Sequence, residues 1–258
     1  MFLVDYHTHP YGHGEQEIRD KYSYKYLKEF LLMAQEKGIA QLGFTDHDDY
    51  IDAISWDILE DLSAEYPDKI RLGIEFDYKI NKEEWIKQVK NRFPLDYSIG
   101  SVHRVGNWEI DHPAYVSEYK EWDIDELYIA YFDLVEKAVS SGLFEIIGHM
   151  DLIKIFNNRP VDLNLLEIVE PVLQAIKENR TVIEINTNGC NKPVNEFYPS
   201  TDILKRAYEL KIPITIGSDA HSPGRVGEGI KRAASLAQKI GYKEITIFKN
   251  GESYSVPY

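Results

Sequence analysis

The sequence predicts an α/β protein: a closed or nearly closed TIM-like barrel of seven parallel strands, in a single domain over residues 1–258. Three observations carry this expectation. Short apolar runs alternate seven times with longer segments of helical spacing, the pattern of parallel strands joined by right-handed crossovers. The runs are apolar almost throughout, as in strands covered on their outer face. No linker, low-complexity run or internal repeat divides the chain, and 258 residues are enough for a full barrel core. An open doubly wound sheet is the alternative. It is weakened because no GxGxxG turn follows the first apolar run.

Taken in order, residues 2–7 (FLVDYH) read as a first strand, and 22–37 as a helix with Leu27, Phe30, Leu31 and Ala34 on one face, ended by Gly38. Residues 39–47 (IAQLGFTDH) form the second strand and 56–65 a helix closed by Pro67. The third strand is 70–78 (IRLGIEFDY). The helix at 81–93 has Asn81 as its expected N-cap and Glu84 three residues on, a capping box. The fourth strand, 96–103 (DYSIGSVH), leads into a loop over 104–122 and a long helix from Asp123 to Ser141, stopped by Gly142. Residues 143–151 make the fifth strand, 162–179 a helix that Pro171 is expected to kink, and 181–189 the sixth strand. A helix over 200–210, capped by Ser200 or Thr201, precedes the seventh strand, 213–221 (PITIGSDAH). A last helix covers 229–240. Residues 244–256 then suit a strand pair turning at Asn250-Gly251.

Composition narrows the class. Hydrophobic residues make up 43% of the chain, which fits a globular protein. The sequence has no signal-peptide pattern and no apolar stretch long enough to span a membrane. Cys190 is the only cysteine, so no internal disulfide forms and a reducing, cytoplasmic location is expected. A net charge of -14 repels phosphate backbones and argues against nucleic acid and anionic membranes as partners. Nothing in the sequence fixes an oligomeric state.

The chemistry lies in where the histidines fall. The opening MFLVDYHTHPYGHGE places His7, His9 and His13 at and just beyond the end of the first strand. His47 ends the second strand, His103 the fourth, His149 the fifth and His221 the seventh. Seven of the eight histidines thus stand at carboxyl ends of strands, the face on which barrel active sites are built; His112 is the exception and reads as structural. Asp46, Asp48, Glu75, Asp77, Asp151 and Asp219 share this rim. His7 and His9 are two apart, as are Asp219 and His221, so each pair projects to one side of an extended segment. Imidazole and carboxylate are the ligands of zinc, iron and manganese. Their number exceeds what one ion needs and fits two or three, with Glu75 or Asp219 bridging. Metals about 4 Å apart clamp a phosphoryl group and generate hydroxide. Asp46 or Asp48 is expected to orient the imidazoles.

The motifs DYHTH (5–9), FTDHDD (44–49), GIEFDY (73–78), IGSVHR (99–104), IIGHMDLIK (146–154), EINTNG (184–189) and ITIGSDAHSPGRVGEG (214–229) resemble, in order and placement, the polymerase-and-histidinol-phosphatase (PHP) superfamily. Their GSVH, EINT-G and GSDAHSP forms are similar to its histidinol-phosphatase branch. The resemblance implies a distorted (β/α)7 barrel with a trinuclear site. One metal would be held by His7, His9, Glu75 and Asp219, a second by His103 and His149 with Glu75 bridging, and a third by His13, His47 and His221.

Two departures stand out. The loop PYGHGE after His9 is shorter than is common in that branch, so His13 arrives early. Where the branch commonly carries a phosphate-gripping Arg after EINTNG, this chain has Cys190, Asn191 and Lys192. Lysine is a point charge rather than a bidentate fork. Arg104, Arg225, Lys154 and Arg159 are the other candidates for phosphate contact.

The expected reaction is hydrolysis of a small phosphate monoester, with L-histidinol phosphate the expected substrate, by a metal-bridging hydroxide with Glu75, Asp219 and His221 as the catalytic set. Three rivals stay open at this point: a phosphatase of other esters such as phosphotyrosine or a nucleotide, a metal-dependent amidohydrolase, and a non-catalytic metal-binding module.

Overall fold

The computed structural model describes residues 1–258. Seven strands form one parallel sheet in chain order: β1 (Val4–Asp5), β2 (Gln41–Phe44), β3 (Ile70–Asp77), β4 (Tyr97–Ser101), β5 (Ile146–Ile147), β6 (Val182–Asn186) and β7 (Ile214–Gly217). The sheet curls until its edges meet. Tyr6 donates its N–H to the Ile216 carbonyl at 3.0 Å, His9 donates to Ala220 at 2.8 Å, and Thr8 bridges Ala220 in parallel. The result is the nearly closed (β/α)7 barrel expected, not the open sheet. Several strands are shorter than their apolar runs, β5 most of all. Beyond their ends the backbone continues as single bridges, such as His47 to Glu75, where the chain bends to present side chains at the rim.

The crossover helices α2 (Tyr24–Glu36), α3 (Trp56–Glu65), α4 (Glu83–Arg92), α5 (Ile124–Ser140), α6 (Leu165–Asn179), α7 (Thr201–Glu209) and α8 (Ile230–Ile240) are preceded by a short α1 (Gln16–Lys21) that periodicity does not announce. In α5, Asp123 accepts the N–H groups of Asp125 and Glu126, and Leu127, Tyr131, Val135 and Ala138 bury one face. Helix α6 runs through Pro171 without interruption, with Asn164 as its cap. Asn81 is not an N-cap. Residues 80–82 wind as a single 3-10 turn, so Asn81 lies inside that turn and Lys82 takes the cap position without a side-chain bond. The 104–122 loop is also more ordered than expected. A ribbon pairs Arg104–Val105 with Trp108–Glu109, and a 3-10 helix follows over Pro113–Glu121.

One apolar cluster of 69 buried residues fills the barrel and its helical layer. The amino-terminal end is stopped by the hairpin β8 (Glu244–Lys249) and β9 (Glu252–Pro257), which turns at Asn250 and Gly251, both at positive φ. Phe248 of the hairpin packs against Tyr6 and Tyr97, with ring centroids 5.6 and 5.2 Å away, and its carbonyl accepts Arg71 Nε at 2.7 Å. The floor is thus sealed, and the opposite end is left for chemistry.

Candidate metal centre and active site

The carboxyl-end rim brings together the side chains that the sequence pattern singles out. Glu75, 1% exposed, stands at the middle of the group. His47 Nδ1 and His149 Nε2 lie 2.9 Å from its carboxylate, His7 Nε2 3.3 Å, and His9 and His103 3.6 Å. His9 Nε2 also lies 3.4 Å from Asp219. Three overlapping triads have ligand atoms within 4.8 Å of one another: His7–His9–Glu75, Glu75–His103–His149 and His9–His47–His221. Glu75 and His9 are each shared by two of them. His13 belongs to none, but its ring lies 4.5 Å from that of His221 and 5.5 Å from that of His47. His112 is exposed, and its Nδ1 accepts the Ala114 N–H, capping the 3-10 helix.

The residues fit divalent ions on chemical grounds visible in the fold itself. Nε2 of His7, His47 and His221, both ring nitrogens of His9, Nδ1 of His149 and Oε2 of Glu75 are buried without a hydrogen-bond partner. Leaving this many polar atoms unmatched costs free energy that coordination recovers. The protons tell the same story. Burial works against the charged form of Glu75, yet the charge on His7 and His103 and the close approach of His149 and His47 hold its carboxyl well below the usual range. His7, His47 and His103 are raised despite burial, because Glu75 and its neighbours favour a positive charge; His103 is pushed up to about 10. Burial and neighbouring imidazoles depress His9, and they push His221 down to about 4. The centre therefore attracts positive charge while keeping part of its imidazole set neutral, the form in which histidine binds metal.

The carboxylates that orient the imidazoles are not the expected ones. Asp46 spends Oδ1 on the Tyr11 N–H at 2.7 Å and is pushed up to about 7 by burial, and Asp48 lies 3.7 Å from Lys82. Glu184 takes the orienting role. It is 1% exposed, its Oε1 lies 2.6 Å from His7 Nδ1, and its Oε2 accepts the His149 N–H at 2.8 Å. It therefore fixes which ring nitrogen His7 turns to the cluster. Its place in EINTNG was readable; its partner, 177 residues away, was not. Asp77 approaches His103 Nδ1 at 3.5 Å, and Asn188 donates to Asp219 at 3.0 Å. Asp219 itself sits at φ +55, a left-handed backbone rare outside glycine and a mark of constraint at functional positions.

Gly217 makes room for this arrangement. A Cβ there would stand 2.2 Å from Glu184 Oε1 and 2.4 Å from His7 Cβ. We expect Gly217→Ala to destabilise the fold by about 1–3 kcal/mol through overpacking and to lower bound metal. Urea titration beside elemental analysis checks this, and an unshifted midpoint with full metal content would refute it.

The cluster forms the bottom of a cavity of about 580 Å³, whose walls include His13, Tyr50, Asp111, Asn188, Lys192 and Tyr198. Of the five basic residues expected to meet phosphate, only Lys192 lines it. Arg104 is paired with Glu109 at 2.8 Å and Arg225 with Glu228 at 2.9 Å, Lys154 is 1% exposed and 2.9 Å from Asp151, and Arg159 is 2.8 Å from Glu196. Arg225 reaches the site indirectly, through a 2.8 Å bond to the Asn188 side chain.

Fold and site together define a class: a (β/α)7 barrel built around a multi-metal centre at its carboxyl-end rim. Within that class the chain belongs to the PHP domain family, whose model matches residues 17–188. A relative from Deinococcus radiodurans, named probable histidinol-phosphatase, is 36% identical over 85% of this chain and 89% of its own. The histidinol-phosphatase of Lactococcus lactis is 27% identical over 96% of this chain and 95% of its own. The solved structure of histidinol phosphate phosphatase from Lactococcus lactis, complexed with zinc, L-histidinol and phosphate, covers 98% of both chains with a TM-score of 0.76 at 22% identity, and so bears on the fold.

Proposed function

We propose that the chain is a metal-dependent phosphatase that hydrolyses L-histidinol phosphate to L-histidinol and inorganic phosphate. The observation that carries the reading is the set of three triads sharing Glu75 and His9 at the bottom of one open cavity. The relatives named histidinol-phosphatase support the substrate, matching nearly the full length of the chain.

His7, His9, His47, Glu75, His103, His149, Asp219 and His221, with His13 beside them, would hold zinc, manganese or iron, which when bound would supply an acidified water and neutralise phosphoryl charge. The chain does the rest. Glu75 gathers five imidazoles and sets their spacing. Glu184 and Asp77 hold the rings of His7 and His103 in register. Lys192, which makes no ion pair, is available to the phosphate. His221, depressed to about 4, is neutral near pH 7 and acts as a ligand rather than a proton donor. The substrate is small, and no helix is long and apolar enough to cross a membrane. The single thiol of Cys190 suits a reducing cytoplasm.

The test is steady-state phosphate release by metal-reconstituted protein from L-histidinol phosphate, para-nitrophenyl phosphate, a phosphotyrosine peptide and AMP. Histidinol phosphate is expected to lead by a hundredfold or more in kcat/KM, about 2.7 kcal/mol of discrimination. Equal rates on all four would remove the substrate assignment.

A further inference from the structure

The cavity holds one carboxylate that neither the metal cluster nor the protein's own cations engage. Of the four carboxylates in its wall, Glu75 and Asp219 belong to the cluster, and Glu109 is neutralised by Arg104 at 2.8 Å. The fourth, Asp111, makes no ion pair and no side-chain hydrogen bond, and its Oδ1 is buried without a partner. The backbone holds it there. Ile110, fully buried, donates its N–H to the His103 carbonyl at 2.9 Å, and its own carbonyl accepts the Tyr119 hydroxyl at 3.1 Å. Just beyond Asp111, the 3-10 helix begins at Pro113. Asp111 is half-buried and shares the cavity wall with His13, His103 and Tyr198, so it faces the cavity and not bulk water alone. Lys192 is likewise without an ion pair in the same wall. An unpartnered anion and an unpartnered cation in one cavity suit a ligand that carries both charges. Leaving a partly desolvated carboxylate unmatched is costly unless a ligand completes it.

We propose that Asp111 is a specificity-determining residue that receives the ammonium group of an amine-bearing phosphate monoester. The inference rests on the phosphatase reading above and adds to it the residue that selects the substrate's positive end. Phosphoethanolamine and propyl phosphate test it, because they differ by an ammonium group in place of a methyl. The metal-loaded full-length protein and its Asp111→Asn variant are compared on both esters and on L-histidinol phosphate, with metal content measured for each.

The ratio of kcat/KM for phosphoethanolamine to that for propyl phosphate is expected to fall about 10- to 100-fold in the variant. KM should carry most of the change, metal content should stay constant, and L-histidinol should weaken as a product inhibitor while inorganic phosphate does not. An unchanged ratio, or a loss of metal, would overturn the role of Asp111. If the wild type shows no preference for histidinol phosphate but favours phosphoethanolamine over propyl phosphate, and Asp111→Asn loses that ratio, the histidinol phosphate assignment falls and the role of Asp111 stands.

Discussion

Glu75→Gln is expected to abolish measurable turnover, with a loss on the order of 10³-fold or more, and to strip metal from the protein. The reason is its position. Five histidines lie within 3.6 Å of this one carboxylate, and two of the three triads include it. The amide keeps the shape but removes the charge that draws cations into the centre. Elemental analysis of the purified variant, beside phosphate release from L-histidinol phosphate, checks both halves. A variant holding its full metal complement and more than a tenth of wild-type activity would show that Glu75 is a packing residue.

Glu184→Gln should separate orientation from fold. The amide still accepts the His149 N–H, so the barrel is expected to stay folded. Without its charge, the His7 ring is held less firmly, and metal affinity should fall about 10- to 100-fold. Competition against a graded series of chelators measures this directly. Glu184→Ala removes both bonds, leaves His7 with no partner at Nδ1, and should destabilise the metal-free protein by about 3–5 kcal/mol. Equal chelator resistance in wild type and Glu184→Gln would end the orienting role.

Much of this was legible in the sequence, for identifiable reasons. Seven strands could be counted because a buried parallel strand must be an apolar run and its crossover helix must be amphipathic. The candidate ligand histidines stood out because imidazoles at strand ends have few other uses in such number, and the fold brings them together around Glu75. Pairwise facts were not legible. Glu184 lies in VIEIN as one of two polar residues in a strand, beside Asn186, and nothing nearby points to His7. The basic residues were ambiguous for the same reason. Arg104, Arg225, Lys154 and Arg159 look alike in a string of letters, yet each meets a carboxylate that the fold brings alongside. The Asn81 capping box failed because one extra 3-10 turn moved the helix start.

The junction between β1 and β7 has a mechanical consequence. It is the longest-range joint in the barrel; Asp5 and Ser218, bonded across it, are 213 residues apart in sequence. It is also thin, since β1 spans only two residues. Closing so long a loop is entropically slow and easily undone. His7 and His9 stand on one side of that seam and Asp219 and His221 on the other. A cation shared between the two sides is a clasp, fastening the first turn of the barrel to the last. The centre comes into being only when the barrel shuts, and a cation held there would add its binding free energy to keeping the barrel shut, so metal loading and closure are coupled.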